Sequence, residues 1–295
     1  MTLLSYQVFM AVVEQESFQK AAQALKLTPS AISHAVSAME EELGSMLFVR
    51  SRHGVYLTNY GKELFPYIKN VLNSDEYLQQ AVAQFNGMQK GLVRLGTFNS
   101  ACVEWLPSLL KDFERKYPKV RLDIYQGTYD DVYHWLRDGI VDLGFLSSTS
   151  VGELAYVPVY EDRLVCVTPK GFQTKHPGYV TIEELREQRF VIQREGCDAD
   201  VNHFLEKYHL SGSGGSRILD DMSAIALVMG GYGVCLVPEL VIRNIPFPVD
   251  VYPLDVEEKR TIVLASLRSD VFAPAVRRMY DYIIERFQYD AEEME

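Results

Sequence analysis

The sequence predicts an α/β protein in three parts: a small N-terminal region of short helices closed by a hairpin, one long helix, and a larger C-terminal region. Three observations carry this reading. Helix start and stop residues crowd the first sixty positions, a heptad-spaced apolar row follows, and from Gly91 onward strand-like and helix-like runs alternate. A chain of 295 residues has room for about two domains. Its 47% hydrophobic and 23% charged residues are those of a globular protein with real cores.

The first helix is expected over Leu3–Glu14, with Leu4, Val8, Met10, Ala11 and Val12 apolar. The stretch LLSYQVFMAVV is not a signal-peptide core, because no basic segment precedes it and EQES follows it. Ser17 caps a second helix, FQKAAQALK. Thr28 caps a third, with Pro29 at its first position, where a missing N–H costs nothing. Gly44 ends the third helix. LFVR and VYLT then read as two short strands around the turn SRHG.

A long helix is expected from Thr58 to about Gly87. Leu64, Ile68, Val71, Leu78, Val82 and Phe85 recur at spacings of three, four and seven, the seam of a coiled coil, with Asp75 at the vacant seam position. Pro66 near its start invites a kink. The seam suits pairing with a second chain; packing as a connector on its own domain is the alternative. Beyond Gly91, LVRLGTF, VRLDIYQG, VDLGFL, RLVCVTP, RFVIQ, GVCLVP and TIVLAS read as strands. WLPSLLKDFERKY, DDVYHWLRDG, TIEELREQ, ADVNHFLEKYH, MSAIALVMGG and PAVRRMYDYIIERF read as helices. Such alternation predicts largely parallel sheets with two centres, one strand set ending near Ser148 and another starting near Arg163. The tail DAEEME reads as a frayed acidic end.

The formal net charge of -11 argues against a nucleic-acid partner only if it is spread evenly. It is not: residues 1–60 sum to -1, residues 61–90 balance, and residues 91–295 carry the remaining -10. Cys102, Cys166, Cys197 and Cys235 lie far apart with no CxxC, which fits a reducing cytoplasm better than a disulfide framework. No apolar run approaches membrane-spanning length, so a cytoplasmic protein without a membrane partner is expected. His134, His203 and His209 lack ligand spacing, and no metal or cofactor is expected. MGGYG follows a helix and precedes a strand, the reverse of a phosphate-binding turn, so it reads as helix termination.

Two helices joined by the tight turn LKLTP, with Ala22, Leu25, Ile32, Val36 and Met39 as the buried stripe, make a helix-turn-helix. The stripe leaves Pro29, Ser30, Ser33, His34 and Ser37 on the other face. Small side chains let a helix sink into the DNA major groove, where hydroxyls and imidazole hydrogen-bond base edges or phosphates. Thr28 sits at the head of this helix. Arg50, Arg52 and His53 on the hairpin are placed as a wing for the phosphate grip, with Lys20 and Lys26 beside them.

SFQKAAQALKLTPSAISHAVSAMEEELGSMLFVRSRHGVYLTNYG resembles the winged helix-turn-helix of LysR-type transcriptional regulators. The family pattern runs from a Ser-Phe helix start and paired alanines, through a Ser/Pro/Ala/Ser recognition helix, to Glu-Glu-Leu-Gly, Leu-Phe-x-Arg and Leu-Thr-x-x-Gly, and every element is present in order and spacing. The chain departs at His34, where many members have arginine, and at Pro29, where glutamine is common, so operator sequences do not carry over. The resemblance implies an α/β fold with an N-terminal winged helix-turn-helix (residues 1–59), a linker and dimerisation helix (60–89), and an effector-binding domain like a periplasmic binding protein (90–295). Its first subdomain is drawn at 90–162 with 268–295, and its second at 163–267. It further implies double-stranded DNA and a small-molecule effector as partners, homodimers joined into a homotetramer, and contact with RNA polymerase.

An effector cleft between two α/β lobes is built at strand C-terminal ends and helix starts. Thr97, Asn99 and Ser100 follow one strand, with Ser100 an N-cap, an effector ligand, or both. Gly127 and Thr128 form a second corner, Ser147 and Ser148 end a third strand, and Gln193, Arg194, Glu195 and Gly196 follow a fourth. Arg194 pairs either with an effector carboxylate or with Glu195 or Asp198. The effector class this suggests is a small carboxylate or an amino-acid-like metabolite. Some family members sense peroxide through a cysteine in the neighbourhood of Cys197. The helix after it, DADVNHFLEKYHL, holds no resolving cysteine, so a plain cleft-wall thiol is the expectation. A solute-binding transport protein lacks a helix-turn-helix, and no converging acid/base or nucleophilic set marks an enzyme.

Overall fold

The computed structural model describes residues 1–52, 54–85, 90–193, 198–210, 217–243, 245–268 and 272–292. The chain divides into two compact units, one built on residues 1–88 and the other on residues 89–136 with 141–295.

The first unit opens with α1 (Leu3–Gln15), α2 (Phe18–Leu25) and α3 (Pro29–Leu43), followed by β1 (Phe48–Ser51), β2 (Gly54–Leu57) and the long α4 (Asn59–Phe85). Local chemistry sets the boundaries. The Ser17 hydroxyl accepts from the Lys20 amide, and the Thr28 hydroxyl from the Ala31 amide, satisfying N–H groups that the helix leaves unpaired. Gly44 closes α3 in the left-handed region at φ 69°, a conformation that costs glycine nothing. Val8, Phe9, Val12, Ala21, Ala22, Ile32, Val36, Met39 and Leu47 form one core, and Leu25 packs against it. Glu40 of α3 accepts from the Leu47 and Phe48 amides at 2.8 and 3.3 Å, tying the helix to the antiparallel β1–β2 hairpin.

The helix α4 runs unbroken through Pro66. Its early turns belong to the first unit's core: Ile68 is buried and Tyr60, Leu64, Phe65 and Leu72 pack beside it. From there the seam is open. Val71, Leu78, Val82 and Phe85 are exposed, Leu78 at 63% and Phe85 at 92%.

The second unit contains β3 (Gly91–Thr97), α5 (Asn99–Glu104), α6 (Leu106–Lys116), β4 (Val120–Gln126), α7 (Tyr129–Arg137), β5 (Leu143–Ser147) and β6 (Ala155–Pro169). There follow α8 (Ile182–Arg186), β7 (Ile192–Gln193), α9 (Ala199–Lys207), β8 (Arg217–Ile218), α10 (Asp221–Met229), β9 (Cys235–Pro238), α11 (Glu239–Ile242), β10 (Val249–Pro253), β11 (Lys259–Ser266) and α12 (Pro274–Glu292). The seven-stranded sheet has the order β10-β6-β11-β5-β3-β4, with β9 also on β6.

The expectation of largely parallel sheets needs correction. β3–β4, β3–β5 and β7–β8 are parallel, but β6 pairs antiparallel with β9, β10 and β11, and β11 antiparallel with β5. The reason is the length of β6. Its first half pairs with β11 in the first lobe, and its second half carries β9 and β10 in the second. The sequence reading began this strand at Arg163 and missed β10. It also drew the second subdomain as 163–267, although β11 lies in the first-lobe sheet, with Leu264 opposite Phe145. Apolar faces close the second lobe on both sides of its strands: Cys166, Val180, Leu185, Phe204 and Leu236 on one, Val167, Ala224, Ile225, Val228 and Val237 on the other.

Candidate functional site

On the first unit, the free face of α3 has little charge. Pro29, Ser30, His34 and Ser37 are exposed and Ser33 is half-buried, opposite the buried Ile32, Val36 and Met39. Thr28 is exposed, its oxygen engaged in capping. The hairpin and α2 bring cations to the edge of this face. Arg50 stacks over the Phe18 ring at 4.3 Å, and its Nη2 lies 3.5 Å from the Ser33 hydroxyl. The stacking holds a long side chain beside the recognition face, a role for Phe18 that its helix-start position did not announce. Arg52, Lys20 and Lys26 are exposed, while His53 lies outside the described residues. The face therefore combines a smooth, hydroxyl-bearing ridge with flanking positive charge, the division between base reading and phosphate gripping that DNA recognition uses.

On the second unit, a cavity of about 480 Å³ opens at the C-terminal ends of strands. Phe98, Asn99 and Ser100 line it after β3, and Gln126, Gly127, Thr128, Tyr129 and Asp131 after β4. Gln193 follows from β7, Asp198 from the start of α9, Leu219 to Met222 from the start of α10, and Arg260 from β11. A smaller cavity of about 130 Å³ shares Asn99, Ser100 and Met222 with it and adds Val103, Leu240, Val241 and Ile245.

Arg260, only 2% exposed, organises the floor. Its Nε and Nη2 donate to Asp162 Oδ2 at 3.0 and 2.7 Å, its Nη2 to Ser100 Oγ at 2.8 Å, and its Nη1 to the Tyr129 hydroxyl at 2.7 Å. The Phe98 ring lies 5.0 Å from its guanidinium carbon. Burial disfavours the guanidinium charge, but Tyr129, Asp162 and Asp198 overcome it and hold the group above its ordinary value. Burial drives the Tyr129 hydroxyl well above its usual range. It also pushes Asp198 up to about 7, with Asp200 and Asp221 adding repulsion that Arg260 only partly offsets. Asp221 is raised by the same cause, although Gln193 and Asn99 both donate to it.

Four of the expected effector residues, Asn99, Ser100, Thr128 and Gln193, meet at this cavity. Ser100 is not the helix cap: α5 starts at Asn99 with Phe98 in the cap position, and the Ser100 hydroxyl is bound to Arg260. Thr97 is fully buried and donates to the Phe98 carbonyl, and Ser148 sits in a one-turn 3-10 helix; neither lines the cavity. Arg194, Gly196 and Cys197 lie outside the described residues. Sequence reasoning missed Arg260, Tyr129, Asp162, Asp198 and Asp221. TIVLAS reads as an ordinary strand, and nothing local shows that Arg260, just before it, meets Asp162.

Residues 3–62 match the model of bacterial regulatory helix-turn-helix proteins of the lysR family, and residues 86–288 match the LysR substrate binding domain. The chain belongs to the LysR family of DNA-binding transcriptional regulators, with an effector-binding domain behind the helix-turn-helix. Among its relatives is an HTH-type transcriptional regulator of Bacillus subtilis, YvbU, 29% identical over 90% of this chain and 91% of that one. Among solved structures, a full-length OxyR variant from Pseudomonas aeruginosa superposes with a TM-score of 0.76 at 18% identity, over 98% of each chain. Full-length CbnR complexed with its target DNA gives 0.67 at 19% identity, over 97% of this chain and 100% of that one. At these identities the two structures show the shared fold. Family membership places the protein among regulators rather than enzymes.

Proposed function

We propose that α3 is the recognition helix, that it enters the DNA major groove with Ser30, Ser33, His34 and Ser37 toward base edges, and that Pro29 allows the close approach. Thr28 and Lys20 flank it, and Arg50, Arg52 and His53 hold phosphates from the wing. The observation that carries this reading is the Arg50–Ser33 approach of 3.5 Å, which sets a cation at the margin of an uncharged ridge. The open seam from Val71 to Phe85 supports homodimers joined through α4, which would set two recognition helices in successive major grooves about one turn apart. Two such dimers would form a homotetramer in the cytoplasm and present bent DNA to RNA polymerase.

The effector is a small molecule that enters the Arg260 cavity and alters the spacing of the paired recognition helices. Of the two effector classes the sequence suggests, the amino-acid-like one, which carries an ammonium, suits the carboxylate-rich lining better than a plain carboxylate. The test is a footprint of the full-length protein on the intergenic DNA beside its own gene. Two protected half-sites about one turn apart are expected. Uniform protection without a preferred site, or none at low salt, would contradict the reading.

A further inference from the structure

The cavity in the second unit is a poor host for an anion. Helix starts bring free N–H groups and partial positive charge to such clefts, but at the starts of α7, α9 and α10 the chain's own carboxylates have taken them, and α5, which has no side-chain cap, is only six residues long. Asp131 accepts from the Thr128 amide at 2.8 Å, Asp198 Oδ1 from the Asp200 and Val201 amides at 3.1 and 3.0 Å, and Asp220 from the Ser223 amide at 2.9 Å. The one cation of the described lining, Arg260, is committed to Asp162, Ser100 and Tyr129. An entering carboxylate would meet Asp131, Asp198, Asp220 and Asp221.

Among the described residues the same surroundings hold fewer positive charges than negative ones. Asp162, Asp198, Asp200 and Asp221 are all buried around a single guanidinium. Buried carboxylates need pairing, and unpaired ones are costly. Among the described residues two of their oxygens accept no hydrogen bond. Asp200 Oδ2 is buried without a hydrogen-bond partner. Asp198 is 5% exposed and lines the cavity, and among the described residues only its Oδ1 accepts hydrogen bonds. No group of three or more His, Cys, Asp or Glu among the described residues is set to hold a metal ion.

The geometry points to an effector that carries a protonated amine, its ammonium seated against Asp198 Oδ2 with Asp221 beside it. An ammonium offers three donors and one charge, which answers both the unused oxygen and the missing cation. This rests on the reading of the cavity as the effector site and adds the chemical class of its occupant. Asp198 is faced by Arg260 from β11, Tyr129 from α7, Asp221 from α10 and Asp200 on its own helix, so its ionisation governs binding. With Asp198 at about 7, the ionised fraction falls about tenfold between pH 8 and pH 6, while an alkylamine stays protonated throughout.

The experiment uses the full-length protein with n-butylamine and 1,4-diaminobutane, and with butyrate and succinate as matched anions. Melting temperature and titration calorimetry are read with probes up to about 10 mM, a range that captures millimolar dissociation constants. The amines should raise the melting temperature and the anions should not. Asp198→Asn, which keeps a capping side chain, should weaken amine binding at least tenfold, and wild-type affinity should fall about tenfold from pH 8 to pH 6. If Asp198→Asn does not fold, Asp221→Asn and the wild-type pH profile carry the test. Binding of the anions alone overturns the amine assignment and leaves the cavity as the effector site. Silence toward all four probes, or amine binding that ignores both substitutions and pH, also overturns it. The footprint separately decides whether the protein is a sequence-specific regulator.

Discussion

Arg260 and Asp162 are register partners on the antiparallel strands β11 and β6, and their side chains form an ion pair at 2.7 Å, both ends almost fully buried. The pair sits where the two halves of β6 diverge into different lobes, and it anchors Ser100 and Tyr129 from the cavity wall. The other Asp162 oxygen accepts from the Leu240 amide at 3.0 Å, so the strand pair also holds the start of α11.

Arg260→Met should destabilise the effector domain by about 3–5 kcal/mol, because it leaves Asp162 and its neighbours buried without a cation. Chemical denaturation of the full-length protein would show the loss as an earlier transition of that domain. A change below about 1 kcal/mol would mean that the carboxylates find other partners.

Asp198 gives the domain a pH dependence of defined sign. Its folded value, about 7, lies above the ordinary 3.8, so the folded state binds the extra proton. Its ionisation is a cost that is absent below the unfolded value, grows as pH rises between the two, and is complete above about pH 7. Asp198→Asn removes that cost. The denaturation midpoint of the variant should exceed wild type at pH 8 by an amount that shrinks toward pH 5, and an equal difference at both would contradict the assignment.

A Cβ on Gly61 would stand 2.4 Å from the Leu47 carbonyl oxygen, where α4 begins against the hairpin. Gly61→Ala should therefore shift this junction and cost about 1–3 kcal/mol in the DNA-binding unit. Its thermal unfolding is the readout, and wild-type stability in the variant would show that the backbone yields freely.

Ser33→Ala and His34→Ala should weaken specific DNA binding more than non-specific binding, by about 1–3 kcal/mol where a base contact is lost. Arg50→Ala should weaken both and reduce the slope of log affinity against log salt by about 0.9. Titrations of operator and random DNA over a range of salt separate the two. Equal losses on both DNAs for all three variants would remove the division between reading and gripping.

Leu78→Asp places a charge in the exposed stripe of α4. It should shift sedimentation toward smaller assemblies without unfolding either unit, because Leu78 is 63% exposed in the single chain. Unchanged assembly would place the dimer contact elsewhere.

The N-terminal unit was legible because its signals are local. Ser17, Thr28, Pro29 and Gly44 mark their own helix ends, and the Ile32, Val36 and Met39 stripe declares its buried face. The effector cavity was legible only where corner residues follow a strand, as at Asn99, Ser100, Thr128 and Gln193. The Arg260–Asp162 pair spans 98 positions and leaves no periodic trace. The first half of β6 was hidden by Pro158 and by Glu161 and Asp162. The strand accommodates Pro158 through a register shift opposite Ile262 and Val263, where a proline in a sheet is tolerated. The missed antiparallel pairing has the same source, because alternation of strands and helices says nothing of one strand serving two lobes.

In the proposed function α3 reads DNA in a sequence-specific way while the flanking cations grip it. The most direct measurement is a footprint of the purified full-length protein on the DNA beside its own gene, at stated salt, with wild type and His34→Ala in parallel. Two protected half-sites about one helical turn apart are expected for wild type, with their selective fading in the variant while low-salt background binding persists. Protection that is uniform along the fragment, or half-sites that His34→Ala leaves untouched together with Ser33→Ala, would contradict it.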